Sequence, residues 1–550
     1  MKCHGMTDAE RGPAVLRRVA ALAAASSIAL AACGQPATPS PTVEPLASQS
    51  ASVAPDISTQ PSVPPDPYQD AWVDVTAEAI GETGDWSNKV ELADINADGR
   101  VDLLFANGGD YDAPGTPVAS RAFVNNGDGT FTDATAGVFG DLEDLTRVIK
   151  VRDLNADGWV DILMGTVFDR RSRLLLGAPD GSFTDATRSN LPDTRLSVGD
   201  LEIGDVDADG DLDVVLADWG DGNPFEVRGR VQLWLNDGNA AFTDATAARM
   251  PDTLVGFSWD IELVDTDNDW DLDLAVSCKS CPGSLLYEND GDGTFADVTE
   301  GRMPAFPNNY EFAPVDLDGN GTLDLLTIND GPDSGSGFTE HLFDNADGTF
   351  ADATGNCWPA DANPGYDDNV IVAFDVDSDG DADFVIGSLD GPDRLVINDG
   401  CGDLRVVAGI IDGPSSQGTL GWGVADLNGD GRPDMVESQG EVPGHEGERV
   451  YLATEAVPPD TAVPVIRAEG FVGEAGSMLI LARVHDNRTP NMPHDWQTVE
   501  VRWDGADPVP MAWYGENLFR AAVSPPAGAT GLSICAVDAA GNEACELIGG

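Results

Sequence analysis

A nine-residue pattern, D-x-[DN]-x-[DN]-x-x-x-D, occurs seven times in this chain. It begins at Asp94, Asp153, Asp205, Asp265, Asp316, Asp375 and Asp426. The intervals are 59, 52, 60, 51, 59 and 51 residues. A period of that size means an array of supersecondary units, stacked as a solenoid or a propeller. A second motif follows each of the first six copies. In the first unit it reads Asn126-Gly127-Asp128-Gly129-Thr130-Phe131-Thr132-Asp133-Ala134-Thr135. Related forms centre on Phe183, Phe242, Phe295 and Phe350, with a degenerate one at Leu404. Asp-Gly between apolar runs is hairpin chemistry, because glycine takes positive φ without penalty.

Each unit then carries four short strands. In the first unit they are Val90–Ala93, Leu103–Ala106, Arg121–Val124 and Phe131–Asp133. Four-stranded units in this number fit the blades of a β-propeller. The seventh unit reaches its third strand at Arg449–Leu452 and lacks a fourth, while a stray copy of the fourth, Trp72–Thr76, precedes the first unit. That copy is expected to complete the last blade and close the ring, which removes exposed sheet edges. The variation in spacing lies mainly between the second and third strands: odd units have long connections there and even units short ones. Length variation on one rim of a rigid scaffold marks a binding rim.

The Asp pattern is a ligand pattern. Positions 1, 3, 5 and 9 offer side-chain oxygens, and position 7 a main-chain carbonyl. Hard oxygen donors in a flexible loop suit Ca²⁺, whereas zinc prefers nitrogen and sulfur. The candidate ligands are Asp94, Asn96, Asp98 and Asp102; Asp153, Asn155, Asp157 and Asp161; Asp205, Asp207, Asp209 and Asp213; Asp265, Asp267, Asp269 and Asp273; Asp316, Asp318, Asn320 and Asp324; Asp375, Asp377, Asp379 and Asp383; Asp426, Asn428, Asp430 and Asp434. Three or four carboxylates crowded into one turn repel unless a cation sits among them. Up to seven Ca²⁺ ions are therefore expected. An EF-hand is excluded, since position 12 is Phe105, Met164, Leu216, Val276, Thr327, Ile386 and Glu437 rather than a regular Glu, and strand-type residues follow. In the fourth loop Trp270 stands where the others have Gly. A non-glycine residue at positive φ is costly there, so this loop is expected to be weaker or reshaped.

Asp motifs between two strands, followed by Asn-x-Gly-Asp-Gly-Thr-Phe, resemble the FG-GAP/VCBS repeat family, whose related blades form the propeller of integrin α subunits. The resemblance spans about Tyr68 to Thr454. It implies calcium in the loops between first and second strands, and ligand on the opposite face. On that opposite rim the candidates are Trp86, Arg147, Trp259, Tyr310, Tyr366 and Trp422, with Asp110, Tyr111, Asp218, Trp219 and His445 from the longer connections. Exposed aromatics ringed by polar groups suit sugar or peptide contacts; packing between blades is the alternative.

The flanks read differently. Arg11, Arg17 and Arg18 precede the apolar run Val19–Leu30, too short for a transmembrane helix and suited to a signal peptide. The run ends Leu30-Ala31-Ala32-Cys33, which resembles the lipobox of bacterial lipoproteins. The resemblance implies lipid on Cys33, and Gly34 after it favours the outer membrane. From Gly34 to Pro67 a Pro/Ser/Ala/Thr tether follows. After Pro458-Pro459-Asp460 about seven alternating strands suggest an Ig-like sandwich, and Val537–Asn542 resembles bacterial Ig-like domains. The expected order is signal 1–32, tether 33–67, seven-bladed propeller 68–455 and sandwich 456–550, an all-β chain.

Removing Cys3 and Cys33 leaves six cysteines. Cys535 with Cys545 would bridge the last two strands and Cys278 with Cys281 a connection between strands. Cys357 and Cys401 remain by exclusion, although the blade order sets them toward opposite faces. The chain has 96 Asp and Glu against 29 Lys and Arg, a net charge of −67. Such a field repels nucleic acid and anionic membrane, leaving the Cys33 lipid as the membrane contact. No G-x-S-x-G or H-E-x-x-H occurs. The expected function is a non-enzymatic, calcium-stabilised surface binding or adhesion lipoprotein that takes a protein or glycan ligand. The alternatives are a polysaccharide-degrading enzyme on a calcium propeller and a structural scaffold.

Overall fold

The computed structural model describes residues 66–548, except 109–112, 221–227, 282, 307, 330–338, 361, 390, 401–403, 413–416, 441–446, 473–476, 487, 490–491 and 529. The signal segment, Cys33, most of the tether, Asp110, Tyr111, Cys401 and His445 lie outside the described residues.

Seven sheets form the repeat region. The first blade is Ser87–Ala93, Asp102–Asn107, Arg121–Asn125 and Phe131–Asp133, paired antiparallel in that order. The innermost strands of the next six are Thr146–Arg152, Val198–Gly204, Ile261–Val264, Asn309–Val315, Asp368–Phe374 and Thr419–Ala425. The second strands are buried along their whole length, as Asp102–Asn107 illustrates. Blades stack face to face, so both faces of a central strand meet apolar neighbours.

The ring closes as the stray motif predicts. Trp72–Asp74 pairs antiparallel with Gly447–Ala453, Trp72 opposite Ala453 and Asp74 opposite Tyr451. Trp72 is fully buried; its indole N–H donates to the Pro433 carbonyl at 2.8 Å, and its ring meets Phe374 edge-on. A fifth strand, Ile411–Asp412, runs parallel to Trp72 and Val73 on the outer side; nothing in the motif count indicated it.

Six fourth-strand motifs continue into a single turn, Thr76–Ala79, Thr135–Val138, Thr187–Asn190, Thr246–Arg249, Thr299–Arg302 and Thr354–Cys357, helical in all but Thr299–Arg302, where Glu300 and Gly301 leave helical geometry. The Asp-x-Thr part of the motif builds them. The Asp133 carboxylate accepts the Thr135 N–H at 2.9 Å, and the Thr135 hydroxyl oxygen accepts the Ala122 N–H of the third strand at 3.2 Å. The same pair of bonds recurs at Asp185/Thr187, Asp244/Thr246, Asp297/Thr299, Asp352/Thr354 and Asp74/Thr76. Local side-chain bonding of this kind ends the strand and starts the turn.

Among the described residues the C-terminal sandwich has eight strands, where the sequence suggests about seven. One sheet orders Val465–Val472, Met478–His485, Leu518–Val523 and Ala512–Gly515; the other orders Val509–Pro510, Trp496–Arg502, Ser533–Asp538 and Glu543–Leu547. Ile480, Val484, Val501 and Ile534 are fully buried between them. Cys535 and Cys545 face each other on the last two strands and are disulfide-bonded, as are Cys278 and Cys281. Cys357 is disulfide-bonded too, which the argument from blade order did not expect. Among the described residues no helix is long and apolar enough to cross a membrane.

Candidate metal centres and the opposite rim

Each Asp pattern forms the loop between the first and second strands of a blade, so all seven loops share one face of the ring. Position 6 turns through the left-handed region, with φ +82° at Gly99 and +97° at Gly380, for example. Trp270 does the same at +77°. Position 1 is held by the loop backbone: Asp94 accepts the Asp98 N–H at 3.1 Å and the Gly99 N–H at 2.7 Å. Equivalent bonds fix Asp153, Asp316, Asp375 and Asp426. Asp205 keeps the bond from Gly210.

Position 9 is the most buried ligand candidate. Asp102, Asp161, Asp213, Asp273, Asp324, Asp383 and Asp434 are each at most 1 % exposed. One oxygen accepts the position-2 N–H of its own loop, as Asp102 does from Ile95 at 3.0 Å. The other accepts an N–H at the end of the third strand, as Asp102 does from Asn125 at 2.8 Å. The pair recurs in all seven blades. A carboxylate oxygen has a second lone pair, so these bonds orient the acid without exhausting it.

Among the described residues, at least four loops bring three carboxylates within ligand distance of one another: Asp205, Asp207 and Asp213; Asp265, Asp267 and Asp269; Asp316, Asp318 and Asp324; Asp375, Asp377 and Asp383. These clusters are aspartate only, the donor set of a calcium-type site. Buried oxygens without a donor, Oδ1 of Asp205, Asp207, Asp265, Asp267 and Asp377, test the fit. Unpaired buried carboxylate is costly; in the loops of Asp205 and Asp375 a divalent cation would satisfy it, whereas in the loop of Asp265 the Arg483 and Arg302 guanidinium groups already stand beside the acids. Burial, followed by neighbouring acids, pushes Asp213 and Asp383 up to about 8 and Asp102, Asp324 and Asp434 up to about 7. Asp399, from the hairpin after the third strand of blade 6, joins Asp377 and Asp379. The nine-residue pattern missed it; the Asn-Asp-Gly at Asn398–Gly400 was the available signal.

The opposite rim requires a correction. Trp219, Trp259, Tyr310 and Trp422 are 3 %, 1 %, 4 % and 6 % exposed, so they do not form an exposed aromatic surface. Trp219 and Trp259 stack at 5.9 Å with Phe257 beside both, and Tyr310 meets Trp259 edge-on. The Arg147 guanidinium lies 3.5 Å above the Trp259 ring, and Lys279 caps Phe257 and Tyr310. Packing between blades explains these four positions. Trp86 is half-buried and donates to Asn88 at 3.0 Å; Tyr366 is half-buried near Arg394. Asp218 is spent on the Ser197 and Gly220 N–H groups.

A charged lining around the ring axis escaped the sequence reading. Lys89 bridges Asp200 at 3.0 Å and Asp260 at 3.4 Å, Arg152 meets Glu91 at 2.8 Å, and Lys150 meets Glu202. Glu262 and Glu311 line the same cavity, with Thr489, Met492 and Glu516 of the sandwich. Charged residues at alternate positions of the first strands, such as Lys89/Glu91 and Asp200/Glu202, carried that signal.

The repeats match a family profile, the FG-GAP-like repeat, over residues 94–164, 153–216, 205–276, 279–327 and 375–436. The chain belongs to the FG-GAP-like repeat family. Its sandwich lies outside the matched FG-GAP segments. No curated protein matches the chain. Among solved structures, this FG-GAP chain is similar to BBS1N in a complex with ARL6DN, at 12 % identity and a TM-score of 0.42, over 72 % of this chain and 99 % of that one. It is also similar to the V. cholerae biofilm matrix protein Bap1, at 13 % identity and a TM-score of 0.33, over 85 % of this chain and 74 % of that one.

Proposed function

We propose that this chain is an exported, non-enzymatic binding protein, lipid-anchored through Cys33, whose propeller is stabilised by calcium. The Asp loops, the fourth apart, hold the ions, and the face opposite them takes a protein or carbohydrate ligand. One observation carries the reading: the sandwich packs against the Asp-loop face at blades 3, 6 and 7. The Asp205 N–H donates to the Tyr514 carbonyl at 2.8 Å, Thr489 makes two bonds to the main chain of Ala373, and the Asp460 N–H reaches the Gly431 carbonyl at 2.9 Å. With the sandwich on that face, a partner reaches the ring from the other side, where the second strands end at Asn107, Asp218, Asn329 and Gln439. Those ends lead into the length-variable connections. Calcium, when bound, supplies positive charge to the loops; Asp102 and its six equivalents orient them.

The test uses the full chain expressed with its leader in a Gram-negative host. Radiolabelled palmitate enters the protein, and Cys33→Ala abolishes the label. Cells carrying the chain bind selected glycan or protein targets on an array in millimolar calcium and release them in EDTA. Binding to nothing on the array, or cleavage of an arrayed glycan, overturns the reading.

A further inference from the structure

We propose that the fourth Asp loop does not hold a metal ion but is the socket by which the C-terminal sandwich docks on the propeller, with Arg483 supplying the positive charge. Arg483 stands on the sandwich strand Met478–His485 and is 2 % exposed. Its guanidinium donates to Asp265 Oδ2 at 2.8 Å, the Asp265 carbonyl at 3.0 Å, Asn268 Oδ1 at 2.9 Å and the Gly321 carbonyl at 3.2 Å. These are side-chain and main-chain oxygens of the kind a bound cation would draw on. A guanidinium presents its donors in a fixed planar fork, so it holds several oxygens at once.

The same loop lacks what the others use. No bond from the position-5 or position-6 N–H to Asp265 matches those that fix Asp94, Asp153, Asp316, Asp375 and Asp426, and Arg483 holds that carboxylate instead. Loop 3 is the informative contrast. Arg520 also reaches Asp205, but that loop keeps its Gly210 bond and its glycine at position 6. In loop 4 the side chain at position 6 is itself a docking element. Trp270 is 9 % exposed and packs with Tyr514, Leu518 and Leu481. Its indole N–H donates to Glu469 at 3.1 Å, and its carbonyl accepts the Tyr514 hydroxyl at 2.9 Å. Asp265 Oδ1 and Asp267 Oδ1 have no donor, and Arg302 lies 3.8 Å from Asp267 to offset that charge. The departure at Trp270 and the seat of Arg483 thus serve one contact.

This inference rests on calcium filling other loops but is tested separately from it. In the full chain at saturating calcium, Arg483→Met is expected to raise the rate of protease cleavage between residues 454 and 465 at least tenfold, with Arg483→Lys intermediate. Bound calcium, counted by atomic emission, stays at the parent value in Asp267→Asn/Asp269→Asn, which leaves the Arg483 contacts in place. Loss of one ion per chain in that double variant overturns the proposal, and so does an unchanged cleavage rate in Arg483→Met. If no calcium binds at all, the calcium reading fails while the cleavage result still decides the docking role. Should Arg483→Met not fold, Trp270→Gly gives a second reading of docking, with faster cleavage expected and unchanged cleavage overturning.

Discussion

The side-chain amide of Asn125 in blade 1 donates to the main-chain carbonyl of Leu427 in blade 7, at 3.1 Å, across the closure of the ring. The same amide donates to Val101 of its own loop at 3.0 Å. Asn236, Asn289 and Asn345 repeat the pair, reaching back to Leu154, Val206 and Thr266 of the preceding blade at 2.8, 2.8 and 2.9 Å. The acceptor is position 2 of an Asp loop, whose N–H is held by position 9. Four of the seven loops, those beginning at Asp153, Asp205, Asp265 and Asp426, are thereby wired to the next blade by buried bonds.

Asn125→Ala should therefore cost about 2 kcal/mol, since it strands buried acceptors on two loops. Its neighbour Asn126 is exposed and bonds only Thr130 and Thr132. Asn126→Ala should stay within about 0.5 kcal/mol. Urea unfolding of both variants measures the difference, and equal midpoints would sink the staple.

Ring closure depends on Trp72. Trp72→Ala removes a fully buried indole and its bond to Pro433, and should cost about 3–5 kcal/mol. Deleting residues 66–76 should also expose the edge of Gly447–Ala453, which invites strand addition between chains. Size-exclusion chromatography with light scattering reads the outcome; a stable monomer of unchanged melting temperature would show that the edge is not exposed.

The helical turns predict a smaller, isosteric effect. Thr135→Val keeps the shape but removes the hydroxyl oxygen that accepts the Ala122 N–H. A loss of about 1 kcal/mol is expected, read by thermal unfolding against Thr132→Val, which loses only an exposed bond to Asn126.

The buried position-9 acids set a pH dependence. Asp213 and Asp383 are pushed up to about 8 and Asp102 and Asp434 to about 7, first by burial. An unfolded Asp titrates near ~3.9. Between those values the folded chain binds more protons than the unfolded one, so stability falls as pH rises. In EDTA the melting temperature should drop steadily from about pH 4 to pH 8. Calcium binds the ionised carboxylates of the folded state, so millimolar Ca²⁺ should flatten or reverse that slope. Parallel slopes with and without calcium would remove the metal from these loops.

Periodicity alone dictated a large part of this architecture. Seven Asp loops at a near-constant interval, a missing seventh fourth strand and a stray copy before Trp72–Asp74 were enough to specify seven blades and their closure, because repeat and hairpin signals are local in the chain. The aspartate clusters were legible for the same reason: ligands of one loop are neighbours in sequence. Position 9 was legible as a ligand but not as the acid that joins loop to third strand, since its partner Asn125 is 23 residues away. Burial was not legible at all. Trp219 and Trp259 have the composition of a binding rim, and only the stacking of adjacent blades decided that they pack against each other. Nor did Trp270 announce its role. Its cost at positive φ was visible from the residue type, while its compensation lies with Glu469, Arg483 and Tyr514, about 200 residues or more along the chain. Local chemistry fixes turns and ligands through bonded neighbours; which charges are paired, and which faces are covered, depends on contacts that only folding brings together.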